Sequence, residues 1–194
     1  MAVNLSKGQK ISLDKGMTLA LVGLGWDTNR YSGGAEFDLD ASAFLLGANG
    51  KVGKDEDFIF YGNLKSADGS VTHTGDNRTG EGEGDDEVLY IDFTKVPADV
   101  ERIAITVTIY EAQERGQNFG QVSNAYVRLA RRSSENDSVG TEELRYDLGE
   151  DFSVETALVV CELYRSGATW KFNAVGAGYQ GGLYALCKAY GVNV

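Results

Sequence analysis

The sequence lacks most of the residues from which catalytic and redox sites are commonly built. Its 194 residues include one proline, two cysteines and one histidine. That is too few histidines for a typical metal site or catalytic triad, and the residues around His73 predict a half-exposed position on a strand. Cys161 and Cys187 form neither a metal-binding spacing nor a disulfide framework, and we expect unreactive core thiols. P-loop, Rossmann and serine-hydrolase motifs are also absent, so we expect no enzyme.

Positive charge is scarce, and long apolar runs are missing. Eighteen lysines and arginines stand against 29 acids, which gives a net charge of −11. Nonspecific binding of nucleic acid depends on basic residues that neutralise phosphates, so we expect no nucleic-acid partner. The longest apolar run, residues 17–26, is too short for a membrane span of about 20 residues, and no secretory signal is visible. We expect a cytoplasmic protein with no direct membrane span and with cations as ligands.

Glycine is abundant, with 25 residues, and together with Asn and Asp it separates short β-branched or aromatic segments. Strands are predicted at residues 18–24, 41–46, 58–61, 88–93, 103–110, 126–129, 158–164 and 170–175. In the fifth of these, the isoleucines and Val107 share one face, while Thr106 and Thr108 lie on the other. Short strands separated by turns predict a mainly β protein, a β-sandwich of two sheets. We expect residues 1–194 to form a single domain.

The C-terminal segment breaks this β pattern. Apolar residues recur there at helical spacing, namely Leu183, Leu186, Cys187 and Tyr190. Gly191 follows as a stop signal, so we predict a short C-terminal helix packed on the sandwich. A weaker signal at residues 153–156 predicts a single helical turn.

Residues 75–87 are the most informative segment, because they combine six acids, one base and four glycines. Crowded acids repel one another unless a cation neutralises them, and glycine lets the backbone turn its carbonyls inward. A set of hard oxygen ligands suits Ca²⁺, which takes about six to eight of them, better than Mg²⁺, which keeps its waters. The alternative interpretation is a solvated acidic hairpin loop.

An EF-hand does not explain this segment. Residues 76–87 have the length of an EF-hand loop, but Arg78 stands at a ligand position and Glu81 at the position that requires glycine. The flanking residues also predict strands, whereas an EF-hand loop lies between helices.

A second acidic cluster lies earlier in the chain. Asp38 and Asp40 are two residues apart, so an extended backbone places both carboxylates on one face. Asp27 precedes them, at the end of a predicted strand. A cation shared with the acidic loop would remove their repulsion. Solvent-facing turn residues are the alternative.

Five segments together resemble the TerD family of tellurite-resistance and stress-response proteins. They are residues 23–27, 37–42, 75–87, 118–126, and 162–165 with 170–172. The resemblance covers essentially the whole chain, and it implies a β-sandwich with two Ca²⁺ ions bound in loops at one end. It also implies a cytoplasmic bacterial protein whose partners are other tellurite-resistance proteins, some of them membrane-associated.

The resemblance also implies a set of metal ligands. The first group is Asp76, Asn77, Asp85, Asp86 and Glu87, followed by Asp38 and Asp40, and then by Asp27. The function expected from these residues is a calcium-dependent interaction or signalling module within the response to tellurite and chemical stress.

Two other functions stay open at this point. One is a calcium-dependent module for sugars or lipid headgroups, in which Trp26, Tyr31 or Phe37 near the acids would stack on a sugar. The other is a metal-dependent hydrolase, for which only Glu111 and Glu114 offer loose candidates for a base.

Overall fold

The fold is that of a two-sheet β-sandwich, as the strand pattern predicts. The computed structural model describes residues 2–28, 35–80, 84–148 and 152–194, and within these ranges the chain forms twelve strands and two α-helices. The strands are β1 (Val3–Asn4), β2 (Lys10–Ser12), β3 (Leu19–Gly25), β4 (Leu39–Leu46), β5 (Phe58–Ile59), β6 (Val71–His73), β7 (Glu87–Asp92), β8 (Arg102–Ile109), β9 (Tyr126–Arg131), β10 (Thr141–Asp147), β11 (Ala157–Ser166) and β12 (Thr169–Tyr179). The helices are α1 (Ala112–Arg115) and α2 (Gly182–Tyr190), with short 3-10 helices at Asp55–Asp57 and Phe119–Gln121.

Each sheet contains six strands. The first has the order β1-β10-β9-β3-β7-β6 and the second the order β2-β12-β11-β8-β4-β5. Neighbouring strands are antiparallel except β1 and β10, which are parallel. None of the helices in the described ranges is long and apolar enough to cross a membrane.

The two faces of the second sheet pack against different partners. Because strand side chains alternate, Ile103, Ile105 and Val107 of β8 point into the core between the sheets. Ala104 points the other way, into a second apolar cluster that includes Leu186 of α2. The outer face of this sheet is therefore covered in part by the C-terminal helix.

The C-terminal helix agrees with its predicted pattern. Leu186 and Cys187 are buried against the sheet, and Gly191 ends the helix at a φ of 82°, a left-handed conformation that glycine adopts readily. Burial raises the pKa of the Cys187 thiol to about 11 and also raises that of the fully buried Cys161. Both thiols are therefore protonated and unreactive near neutral pH.

Several local features differ from the sequence prediction. The predicted helical turn at 153–156 is wrong, because the Glu155 carboxylate instead accepts hydrogen bonds from the backbone of Ser153 and Val154 in a bend. Three strands and α1 were not predicted. β1 and β2 span only two and three residues. β10 is mostly polar, and its inward face is limited to Leu144 and Tyr146.

Candidate metal centre

Three carboxylates from two chain segments meet beside the start of β4. Asp38 directly precedes β4, Asp40 is its second residue, and Asp76 follows β6. One carboxylate oxygen of each residue lies within 4.8 Å of the others. Oxygens bound about 2.3–2.6 Å from one Ca²⁺ ion lie up to about 5 Å apart, so this group, the acidic cluster, matches the dimensions of a cation site. The spacing of Asp38 and Asp40 correctly predicted that they would lie together.

Two members of the acidic cluster are removed from water. Asp38 and Asp40 are each 4% exposed, whereas Asp76 is exposed. Among the residues that the structure describes, the buried Oδ1 atom of Asp38 has no hydrogen-bond partner. Buried polar atoms are nearly always hydrogen-bonded, so an orphaned carboxylate oxygen inside an acidic cluster is the kind of atom that a cation satisfies. Solvent-facing turn positions, the alternative for Asp38 and Asp40, do not fit this burial.

The charges in the acidic cluster destabilise one another. Burial, followed by the charges of Glu87, Asp38 and Asp76, raises the pKa of Asp40 to about 8. Burial and the charge of Asp76 also raise the pKa of Asp38. Without a cation, Asp40 therefore keeps its proton up to near-neutral pH.

Arg78 supplies a partial counter-charge. Its Nε atom lies 3.7 Å from Oδ2 of Asp38, and its side chain is 68% exposed. An arginine so exposed to water compensates little of the charge of a buried carboxylate.

Glu87 lies directly behind the acidic cluster and is held from several sides. It is 1% exposed, its Oε2 accepts a hydrogen bond from the Ala41 N–H at 2.5 Å, and its Oε1 accepts one from the Asn77 N–H at 3.3 Å. Burial raises the pKa of Glu87. Its carboxylate thus ties the acidic loop to β4, in addition to acting on Asp40 by its charge.

His73 is a residue whose position the sequence predicted wrongly. It lies on the predicted strand, but it is 2% exposed rather than half-exposed. The reason is that β6 turns this ring toward the opposite sheet, where its Nε2 atom lies 3.1 Å from the Ala41 carbonyl oxygen. The Gly75 N–H donates to Nδ1, so Nε2 carries the proton and donates it to that carbonyl. Both ring nitrogens are therefore occupied.

Asp86 and Asn77 shape the loop beside the acidic cluster. Asp86 accepts hydrogen bonds from the backbone N–H of Trp26 at 2.9 Å and from the Asn77 side-chain amide at 3.1 Å. The side-chain Oδ1 atom of Asn77 in turn accepts hydrogen bonds from the backbone N–H groups of Thr79 and Gly80. Gly80 has a φ of 69°, and a side chain there would collide with the Trp26 indole. These contacts explain why the loop needs an amide and a glycine at these positions.

A second ion remains a prediction. Burial and the charges of Asp85 and Asp27 raise the pKa of Asp86, so these acids are close enough to repel. Asp27 also accepts a hydrogen bond from the Asn124 side chain at 2.7 Å. Over the described ranges, no second group of three metal-ligating side chains is brought together. Glu81 and Glu83 lie outside those ranges, as does Tyr31.

Asp85 is held by an arginine that sequence reasoning missed. Arg128 donates hydrogen bonds to both carboxylate oxygens, with Nη2–Oδ2 at 2.6 Å and Nε–Oδ1 at 2.8 Å. The side chains are only 13% and 6% exposed. A Cβ on Gly23 would lie 2.2 Å from the Asp85 carboxyl group, so the glycine makes room for this pair. The pairing gives Asp85 a structural partner, and its role as a metal ligand stays a prediction.

The other sequence candidates do not join the acidic cluster. Trp26 and Phe37 are 5% and 3% exposed and belong to the core between the sheets. Glu111 and Glu114 are exposed, and Glu111 forms an ion pair with Arg115 at 3.5 Å.

Comparison with known proteins identifies relatives over the whole chain. The TerD domain family matches residues 1–190. The chain is 61% identical over 196 residues to the tellurium resistance protein TerD of Alcaligenes sp, covering 100% of this chain and 99% of that protein. It is 52% identical over 197 residues to general stress protein 16U of Bacillus subtilis (strain 168), with 100% of both chains covered.

A solved structure supports the same architecture. A homologue of the telluride resistance protein (TerD) from Streptomyces coelicolor A3(2) superposes with a TM-score of 0.70 at 22% sequence identity, covering 88% of this chain and 95% of that one. At this level of identity the likeness concerns the fold alone.

The raised pKa of Asp40 predicts a pH dependence of stability. An unfolded aspartate ionises near a pKa of about 3.9, whereas Asp40 in the fold keeps its proton up to a pKa of about 8. Between these values the folded state binds a proton that the unfolded state has released. The free energy of unfolding of the metal-free protein should therefore fall as the pH rises from about 4 to about 8. Urea denaturation in EDTA at a series of pH values measures this fall in the free energy of unfolding.

The Asp40→Asn variant tests this assignment, because it keeps the side-chain shape and removes the titration. Its free energy of unfolding should change less with pH than that of the wild type. Asp99→Asn, at an exposed acid, should behave like the wild type. Equal slopes for Asp40→Asn and the wild type would contradict the assignment.

The Asp85–Arg128 pair predicts a stability effect that is separate from metal binding. Asp85→Asn removes the two-point partner of the largely buried Arg128 and leaves only Glu142, 4.0 Å away, as its counter-charge among the described residues. The free energy of unfolding should therefore fall by up to about 3 kcal/mol. Glu135→Gln, which breaks an exposed pair with Lys95, should cost less than about 1 kcal/mol. A protein that keeps its stability but loses calcium binding in Asp85→Asn would return Asp85 to the ligand set.

Proposed function

The chain belongs to the TerD family, whose members include tellurium resistance and general stress proteins, and we propose that it acts there as a calcium-binding protein. The observation that carries the proposal is the acidic cluster of Asp38, Asp40 and Asp76, with oxygens within 4.8 Å of one another. Two of these carboxylates are almost fully buried. A buried group of like charges favours a bound cation, because only an opposite charge removes both the repulsion and the desolvation cost.

The chemistry of the donors favours calcium. The acidic cluster offers carboxylate oxygens, and the nitrogens of the neighbouring His73 are both occupied by hydrogen bonds. Oxygen-only sites suit hard cations rather than zinc or copper, which prefer nitrogen and sulfur ligands. The Asp38 Oδ1 atom without a hydrogen-bond partner supplies a ready ligand. Carboxylates that bind with one or both oxygens suit the flexible coordination of Ca²⁺ better than the strict octahedron of Mg²⁺.

A bound Ca²⁺ ion would supply positive charge that neutralises Asp38, Asp40 and Asp76. Arg78 is then released from its long contact with Asp38, and the exposed side chain of Asp76 is fixed beside β4. The metal-bound and metal-free states thus differ in surface charge and in loop order. A partner that binds only one of these two states responds to the calcium concentration.

We propose this binding role in place of catalysis, and we place it in the cytoplasm beside other tellurite-resistance proteins. The second calcium ion, with Asp27, Asp86 and Asn77 as its ligands, belongs to the same proposal. It is supported by the negative charge of Asp27, which helps to raise the pKa of Asp86 and so indicates that the two carboxylates lie close together. The occupied ring nitrogens of His73 and the ion pair of Glu111 with Arg115 support a site that binds rather than reacts.

Calcium should stabilise the fold against heat. At a free concentration about a hundredfold above Kd, one bound ion adds about 2.7 kcal/mol to the free energy of unfolding. Thermal unfolding in Ca²⁺ and in EDTA measures this as a rise in melting temperature. The rise should be lost in the Asp38→Asn/Asp40→Asn double variant and kept in Asp99→Asn.

The double variant has an internal check on its folding. It removes a buried charge at Asp38 and the cost of keeping Asp40 protonated, so at neutral pH in EDTA it should melt at or above the temperature of the metal-free wild type. A wild-type melting curve that is unchanged by calcium, or an equal rise in the double variant, would overturn the proposal.

A further inference from the structure

A cavity of about 600 Å³ lies beside the acidic cluster, on the outer face of the second sheet. Asp40 of β4 and Thr108 of β8, which are register partners, line one side. Gly182 and Leu183 at the start of α2 line another. The volume falls in the range of about 300–1,000 Å³ that is typical of small-molecule sites. The cavity thus lies between the outer face of the second sheet and the start of α2.

Asp40 links the cavity to the acidic cluster. It is a member of the cluster and it also lines the cavity. It is 4% exposed, and within the described residues no hydrogen bond reaches its carboxylate. The Asp40 carboxylate thus belongs both to the candidate cation site and to the wall of the cavity. A molecule in the cavity would therefore lie next to the cation.

The lining indicates what kind of molecule fits. Tyr61 and Tyr110 offer aromatic rings, and Tyr61 is 40% exposed. Gln113, Gln180 and Thr156 offer neutral hydrogen-bonding groups, as does Thr108. The described lining includes acidic residues and contains no lysine or arginine. Such a cavity suits a neutral molecule rich in hydroxyl groups. A phosphate or an anionic headgroup would meet the acidic side chains of the lining directly. Two arginines, Arg115 over the Tyr110 ring and Arg78 beside Asp38, stand outside the lining.

Calcium and hydroxyl groups complement each other at this place. Ca²⁺ takes about six to eight oxygens, more than three carboxylates supply if any binds through a single oxygen. Neighbouring hydroxyl groups are neutral oxygen donors that can fill such positions. The tyrosines can cover the apolar face of a sugar ring, a part for which the buried Trp26 and Phe37 are not available.

We propose that this cavity binds a carbohydrate, with sugar hydroxyls beside a Ca²⁺ ion held by Asp38, Asp40 and Asp76, and with Tyr61 against the ring. The proposal rests on the proposed calcium function and adds a ligand class to it. Lipid headgroups, the other ligand class that the sequence left open, become an outcome of the test.

Saturation-transfer NMR on the full chain tests the proposal, with glucose, galactose, mannose and myo-inositol as probes. In calcium we expect saturation transfer to the ring protons of at least one probe, and we expect EDTA to abolish it. Tyr61→Ala should weaken the affinity about tenfold through the loss of ring contact. Tyr184→Ala is the matched control, because this tyrosine is 56% exposed and does not line the cavity.

The outcomes separate the two proposals. Calorimetry with calcium alone should give the same affinity for Tyr61→Ala and for the wild type. If calcium binds but no probe shows transfer, or if phosphate or anionic vesicles bind in place of the sugars, the carbohydrate proposal is wrong and the calcium proposal stands. If calcium itself does not bind, both are wrong. Sugar binding that persists in EDTA would also overturn the role given to the cation.

Discussion

Repulsion among buried carboxylates is the constraint on which the rest of this site depends. Asp38 and Asp40 are 4% exposed and Glu87 is 1% exposed, and Asp76 adds its charge from the loop. Burying several acids together lowers the stability of a fold, because each acid loses hydration and raises the cost of ionising the next. Their presence at one place therefore implies a role that outweighs the cost. A resident cation is the simplest physical reason for it.

The surrounding structure holds these acids together against that repulsion. Glu87 accepts a hydrogen bond from the Ala41 N–H, and His73 donates one to the Ala41 carbonyl. Two residues of the first sheet are therefore bonded to the backbone of the same residue in the second sheet. Further along the loop, Asp85 is fixed by Arg128 above the bare backbone of Gly23. The Gly75 N–H bound to His73 and the Asn77 N–H bound to Glu87 also fix the backbone on both sides of Asp76. The exposed Asp76 side chain is thereby held where it can reach a cation.

Local patterns in the sequence predicted much of the framework, because alternation and turn residues act over short distances. The faces of β8, the C-terminal helix and the pairing of Asp38 with Asp40 all follow from such spacing. The burial of His73 and the partner of Asp85 did not follow. His73 is buried because the opposite sheet covers it, and Arg128 lies 43 residues from Asp85 in the chain. The cavity beside Asp40 depends likewise on how α2 sits on the second sheet, which no local pattern records.

The central claim is that the acidic cluster is a calcium site, and a crystal structure of the protein grown with calcium tests it most directly. The account predicts an ion bonded to carboxylate oxygens of Asp38, Asp40 and Asp76 at about 2.3–2.6 Å. Asp85 should remain paired with Arg128 in that structure. A calcium ion bound only elsewhere, with the carboxylates of Asp38 and Asp40 free of metal, would contradict the account.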